Sequence, residues 1–283
     1  MGSEMCIRDR RVIGKYLGEP AANLARAEEA FARALALNPE LAVAHKYTAH
    51  LEAERGRVGD ALARLLQRAR VDRNDPEIFG GLVHACRYAG LLDESLAAHA
   101  EALRLDPNAS TSVAFTLWAQ GDYAALADGR SDVIDQHPRT LALVCLGRSE
   151  EARAVIEPAG ARASLAIMRS TLDQTLALID GRDAEALRLC DEMLPRFSDP
   201  EGRVLQACVL ARLGQGERAI ALLEQSVDGG FYGVAALPAH PWLAAVRDDP
   251  AFVRAIRRAA VRTDALRRTF ADAGGVTLLG LPR

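Results

Sequence analysis

Apolar and polar residues follow a helical rhythm along most of the chain. In ARAEEAFARALALNP, residues 25 to 39, Ala27, Phe31, Ala34 and Leu35 share one face, and the stretch stops at Asn38-Pro39. Three- and four-residue spacing predicts an amphipathic helix. Proline ends it, because it lacks an amide hydrogen and disfavours helical geometry in the residue before it. From Asp75 to Pro107 the pattern doubles. Phe79, Leu82, Val83 and Cys86 form one stripe, Gly90 interrupts, and Leu96, His99, Ala102 and Leu103 form a second.

The interruption recurs. Gly56, Gly90, Gly121, Gly147, Gly181 and Gly214 are 34, 31, 26, 34 and 33 residues apart, and Pro39, Pro76, Pro107 and Pro138 march between them at 37, 31 and 31. Each period is predicted to hold two helices, joined at a glycine that takes positive φ without penalty and closed by a proline. Neither helix could bury its stripe alone, so the pairs must stack on one another. Ala27 and Ala34 would sit where two helices approach closest, with Phe31 as the knob between repeats.

The rhythm also breaks. Asp72 and Asn74 interrupt the ending before Pro76, the helix before Gly147 is short, and LADGRSDVIDQHP follows the turn at Gly121, which predicts a bend or looser stacking from about 122 to 160. After residue 228 prolines crowd together at 238, 241 and 250, while Trp242, Leu243, Val246, Phe252 and Ile256 form an apolar set suited to closing the end of a stack. The expected organisation is therefore a helical repeat array over 11–228, a C-terminal cap over 229–262 and a tail over 263–283, whose last stretch, ADAGGVTLLGLPR, has too little pattern to assign. Residues 1–10 contain MCIRDR, which looks like a translated adapter; they are set aside as a non-native leader, with the natural protein expected to continue upstream.

Composition narrows the class. The chain is 49% hydrophobic but only 5% aromatic, with alanine and leucine carrying the apolar load, which favours an all-α fold. The 35 basic and 38 acidic residues are mixed along the chain, so the footprint of a nucleic-acid binder is missing. Lys15 and Lys46 are the only lysines. Five cysteines lack any CxxC spacing and fit a reducing cytoplasm, where the sequon at Asn108 is idle. No apolar run approaches the roughly 20 residues that cross a bilayer, so no membrane partner is expected.

Candidate chemistry is sparse. No phosphate-binding glycine loop, HExxH, nucleophile elbow or dinucleotide fingerprint occurs. His45 and His50 are five apart and fall on different sides of a helix, and the adjacent carboxylates at 191–192 and 248–249 point apart. The expectation is a non-enzyme with no cofactor, no metal and no catalytic residues.

AEEAFARALALNP and SLAAHAEALRLDP resemble the second helix of a tetratricopeptide repeat, and the resemblance covers about residues 20–228, best in 40–76, 77–107 and 166–199. It implies a right-handed superhelical solenoid whose first helices line a concave groove. By the glycine register the groove positions are Lys46, His50 and Glu54, then His84, Arg87 and Tyr88, then Asn108, Phe115 and Trp118. Aromatics mixed with arginine suit the capture of a partner's peptide or helix. Lys46 alone does not make the carboxylate clamp of chaperone-binding members. The segment after Pro238 resembles the stretch that closes tetratricopeptide arrays attached to bacterial adenylate cyclases, serine/threonine kinases and winged-helix regulators. Two expectations follow: a cytoplasmic scaffold for protein–protein interaction, or the regulatory C-terminal region of a larger bacterial signalling protein whose catalytic domain lies on the N-terminal side.

Overall fold

The computed structural model describes residues 20–129, 136–162, 166–197 and 199–282. The leader at 1–10 and part of the irregular stretch, 130–135, lie outside them. Among the described residues there are fifteen α-helices and no strand, and helix makes up 78% of the structure. A single helix, α1 (Pro20–Leu37), precedes six pairs: α2 (Ala42–Glu54) with α3 (Val58–Val71), α4 (Pro76–Tyr88) with α5 (Leu92–Leu105), α6 (Val113–Gln120) with α7 (Tyr123–Asp128), α8 (Gln136–Cys145) with α9 (Ser149–Arg162), α10 (Ala166–Ile179) with α11 (Asp183–Met193), and α12 (Pro200–Arg212) with α13 (Gly216–Asp228). First helices stack on the next first helix from α2 through α10, and most second helices also touch the first helix that follows.

The six turn glycines all take φ between 66° and 79°. Around each, the amide just after the glycine donates to a carbonyl five residues back, from Arg57 to Glu52 (2.8 Å) in the first pair through to Gln215 and Leu210 (2.8 Å) in the last. A helix end closed this way leaves fewer carbonyls unsatisfied, and the residue in the left-handed position must be glycine to avoid a clash of its Cβ. One local rule, repeated, builds every pair.

A second rule repeats between the early pairs. Asn38, Asp72 and Asp106 each accept a hydrogen bond from the amide two residues on, at Glu40 (3.0 Å), Asn74 (2.9 Å) and Asn108 (2.9 Å). Asp72 and Asn74 are thus the regular turn in this register rather than a break in it. The prolines divide by role. Pro39 and Pro107 follow helices, whereas Pro76 opens α4 behind the capping side chain of Asp75 and Pro138 sits in the first turn of α8. A missing amide hydrogen costs nothing there, since first-turn amides have no intrahelical acceptor. The middle pairs are short, with eight residues in α6, six in α7 and ten in α8, and Pro158 lies inside α9.

After α13 the chain turns back on the array. Gly229 and Gly230 pass against Gly56, Tyr232 N–H donates to the Tyr88 carbonyl at 2.8 Å, and two short 3₁₀ turns (Leu237–Ala239 and Pro241–Leu243) lead to α14 (Pro250–Asp272). Asp249 caps α14 through the Ala251 amide (2.7 Å). The helix runs ten residues past the 262 boundary, and α15 (Gly275–Leu278) follows a turn at Gly274. Helix α14 begins on α13 and ends on the early pairs, with Leu266 over Gly59, Thr263 over Gly90, and Arg70 donating to the Ala273 carbonyl (2.6 Å).

This return determines where the core lies. Side chains from all six first helices, among them Ala49, Leu82, Trp118, Leu141, Ala177 and Val204, join Phe231, Val234, Leu237, Leu243 and Phe252 of the returning segment in one buried cluster. The apolar set expected to close the stack is part of it or packs on it: Leu243, Val246 and Phe252 are buried, and Trp242 and Ile256 are half-buried.

Candidate protein-interaction face

Six of the nine groove positions form one continuous structure on the inner side of α2 and α4. Every third or fourth residue of a helix returns to the same face, so His50 and Glu54 share a face of α2, and His84, Arg87 and Tyr88 follow on α4. The His50 and His84 rings stack with centroids 4.0 Å apart, and His84 stacks on Tyr88 at 4.4 Å. The column extends at one end to Tyr47 and Phe31, and at the other to Phe231, whose ring meets Tyr88 edge-on at 5.0 Å. Glu54 Oε1 lies 3.8 Å from His84 Nε2. Lys46 pairs with Glu77 at 2.9 Å at the edge of this face, its chain packed beside Gly80.

Arg87 anchors the next layer. Its Nε donates to Glu201 Oε1 (2.6 Å) and one Nη to Glu201 Oε2 (3.1 Å), a two-pronged ion pair across 114 residues of sequence. The other Nη donates to the carbonyl and hydroxyl oxygens of Ser112 (3.0 Å each) and to Thr116 Oγ1 (3.3 Å). The guanidinium is only 1% exposed, so its charge is fully committed to these partners. Phe115 lies over it at 5.5 Å and is half-buried.

Of the two remaining positions, Trp118 continues the covered face beyond Phe115 and Asn108 does not. Trp118 is buried against Tyr123 (5.1 Å) and His240 (5.3 Å), and Trp242 meets His240 from the other side at 5.5 Å. Burial pushes the His240 imidazole down to about 4, and its Nδ1 accepts from the Trp242 amide (3.1 Å). Asn108 is exposed in the turn after α5 and does not join the face.

All the groove positions except Asn108 thus lie on an inner face covered by the chain itself. Glu201, Phe231, Tyr232 and His240 are its intramolecular occupants, and the register could not supply them, since each meets its partner across more than 100 residues. Their one local trace is the aromatic pair in GGFYG, residues 229–233, in a chain with few aromatics. A cavity lined by Phe115, Trp118, Glu201, Val204, Phe231 and Leu237 measures about 10 Å³, room for about one water. The Tyr88 hydroxyl and the Trp118 indole N–H on this face are buried and have no hydrogen-bond partner among the described residues.

Reactive chemistry is muted on the face and around it. Burial, with the nearby charges of Asp199, Glu201 and Glu54, holds the Tyr88 hydroxyl well above its ordinary range. Desolvation likewise raises the Cys145 and Cys190 thiols to about 12 and keeps them from ionising near neutral pH. Among the described residues no three His, Cys, Asp or Glu side chains are placed to share a metal ion, and no helix is long and apolar enough to cross a membrane. No protein-family model matches the chain, and no curated protein matches it.

Proposed function

We propose that the chain is a non-catalytic scaffold for protein–protein interaction, a right-handed, tetratricopeptide-like superhelix working in the cytoplasm. Its inner face takes a peptide or helix of a partner in place of residues 229–240. The observation that carries this reading is that two buried hydrogen-bonding groups, those of Tyr88 and Trp118, lack a partner among the described residues on a face already held by an irregular segment. Leaving such a group unpaired costs about 1–3 kcal/mol, so an occupant that satisfies both has an advantage over the present one. The occupant also describes its competitor: an aromatic side chain to follow the ring column, as Phe231 does, and a backbone amide for the Tyr88 carbonyl, as Tyr232 supplies.

The test uses the chain's own segment as probe. A labelled peptide of residues 226–240 is titrated against the full chain and against two variants that loosen the return, Phe231→Ala and Gly233→Ala. A Cβ at Gly233 would stand 2.7 Å from the Arg87 carbonyl. Saturable binding to either folded variant and none to the parent is expected. If both variants stay folded and neither binds, the inner face is a permanent core and the reading fails.

The regulatory reading draws on a narrower observation. Asp249-Pro250-Ala251-Phe252, within the segment that resembles the closing stretch of signalling-protein arrays, builds the start of α14 and buries Phe252 in the shared core. On that reading the same face controls a catalytic or DNA-binding domain instead of a free partner.

A further inference from the structure

On the other outer helices and the turns that lead into them, most arginines pair with carboxylates, Arg70 being an exception that bonds a backbone carbonyl. Arg104 pairs with Glu101, Arg148 with Glu151 and Asp128, Arg182 with Asp180 and Glu185, Arg188 with Glu192, and Arg218 with Asp191. Helix α14 departs from this. It carries six arginines against Asp264 and Asp272, in a chain whose net charge is −3. Its buried side, with Phe252, Ala255, Ala259 and Phe270, seats it on the array. Arg254, Arg258, Val261, Arg262, Ala265 and Arg268 turn the other way and are exposed, with Arg257 on the flank.

Among the described residues Arg254, Arg257, Arg262 and Arg268 have no carboxylate within ion-pair distance; Arg258 reaches Asp228 at 3.3 Å. Arg254, Arg258 and Arg262 follow at four-residue intervals, an arrangement in which like charges repel and weaken the helix. Among the described residues the row's one ion pair is that of Arg258 with Asp228, an exposed pair that adds little to folding. Val261, at its middle, is 69% exposed, an apolar side chain ringed by charge.

We propose that this face of α14 docks an acidic amphipathic helix of a partner protein. The row spans about 21 Å from Arg254 to Arg268 at 1.5 Å per residue, the length of four helical turns. Carboxylates at three- and four-residue intervals on a second helix meet it in register, and one apolar residue between them covers Val261. A phosphate backbone offers nothing to Val261, and the row has no aromatic residue on which a base could stack. The class of partner, a protein, rests on the proposed function; the site does not, since it lies on the opposite side of α14 from the core.

The probe is a fluorescent helix-forming peptide with glutamates at those intervals on one face and a leucine at its centre, titrated against the full chain. An isomer of the same composition with its glutamates scattered, a DNA duplex and anionic phosphatidylserine vesicles serve as comparisons. The patterned peptide is expected to bind in a salt-sensitive manner and to lose about tenfold or more in affinity in Arg254→Ser/Arg258→Ser/Arg262→Ser, whose exposed positions leave folding intact. Val261→Asp is expected to weaken it severalfold, and Phe231→Ala to leave it unchanged. Loss in Phe231→Ala with retention in the triple variant would place the peptide on the inner face and overturn the proposal. Equal binding of the scattered isomer, tighter binding of DNA or vesicles, or no binding at low salt would overturn it as well.

Discussion

Gly90 and Gly147 are the same residue in the same turn, yet the molecule asks different things of them. Both take positive φ, near 75°, and both close a helix through the same pattern of hydrogen bonds. A Cβ at Gly147 would meet nothing within 4 Å, whereas one at Gly90 would run into the Thr263 side chain and come within 2.8 Å of the Tyr232 carbonyl. The early pairs, α2 to α5, lie under the returning C-terminal segment; among the described residues, no atom lies within 4 Å of where a Cβ would stand at Gly147, Gly181 or Gly214. A repeated sequence signal thus makes equal turns, and the return of the chain makes some of them structural joints.

Four changes bear on the difference between covered and open turns. The largest effect is expected at the joint itself. Arg87→Ala leaves Glu201 buried without its partner and should cost about 3–5 kcal/mol in urea unfolding, while Arg87→Met with Glu201→Leu should recover most of it, because a well-packed apolar pair replaces a buried ion pair at little cost. Recovery failing in the double variant would mean that the bonds from Arg87 to Ser112 and Thr116, and not the ion pair, hold this layer.

Next comes pH. Burial lowers His240, in the joint, and His137, in the open middle, from the ordinary 6.5 to about 4. The unfolded chain therefore binds these protons first as pH falls, and stability present above pH 6.5 is lost progressively toward pH 4. Each imidazole contributes up to about 3 kcal/mol of that loss, because every tenfold change in proton affinity is worth about 1.4 kcal/mol. His240→Gln should remove its share of the slope and leave that of His137, as read from unfolding curves across the window.

Gly90→Ala against Gly147→Ala is the direct comparison. The open turn should lose about 1–2 kcal/mol, the cost of a Cβ in left-handed geometry, and the covered turn about 3 kcal/mol or more, since the Thr263 and Tyr232 contacts must give way as well. Equal losses would show that the return does not press on Gly90. Smallest of all, Arg188→Ala on the outer face of α11 removes an exposed pair with Glu192 and should change stability by less than about 0.5 kcal/mol.

What the sequence carries follows from range. The glycine turns and paired stripes depend on neighbours within one helix pair, and all six turns were legible from spacing alone. Pro76 and Pro138 were harder, because a proline reads alike after a helix and in the first turn of the next; the cap Asp75, one residue earlier, was the available clue. The full length of α14 was also present in outline, as Phe252, Ala255, Ala259, Leu266 and Phe270 keep a helical spacing, but its arginines mask the stripe. The covering of the inner face was not legible. Glycine register gathers His50, His84 and Tyr88 on one side, but that Phe231 completes their column depends on how far the array curls, which no local pattern states.

Hydrogen exchange reports on the return of residues 229–234 onto α4 at a single amide. Outside any helix, the Tyr232 amide has the Tyr88 carbonyl, at 2.8 Å, as its one acceptor among the described residues. It should exchange as slowly as the core amides of α4 in the parent, and far faster in Gly233→Ala. Exchange of the Tyr232 amide at the rate of an unstructured peptide, with α4 still protected, would contradict the closed array.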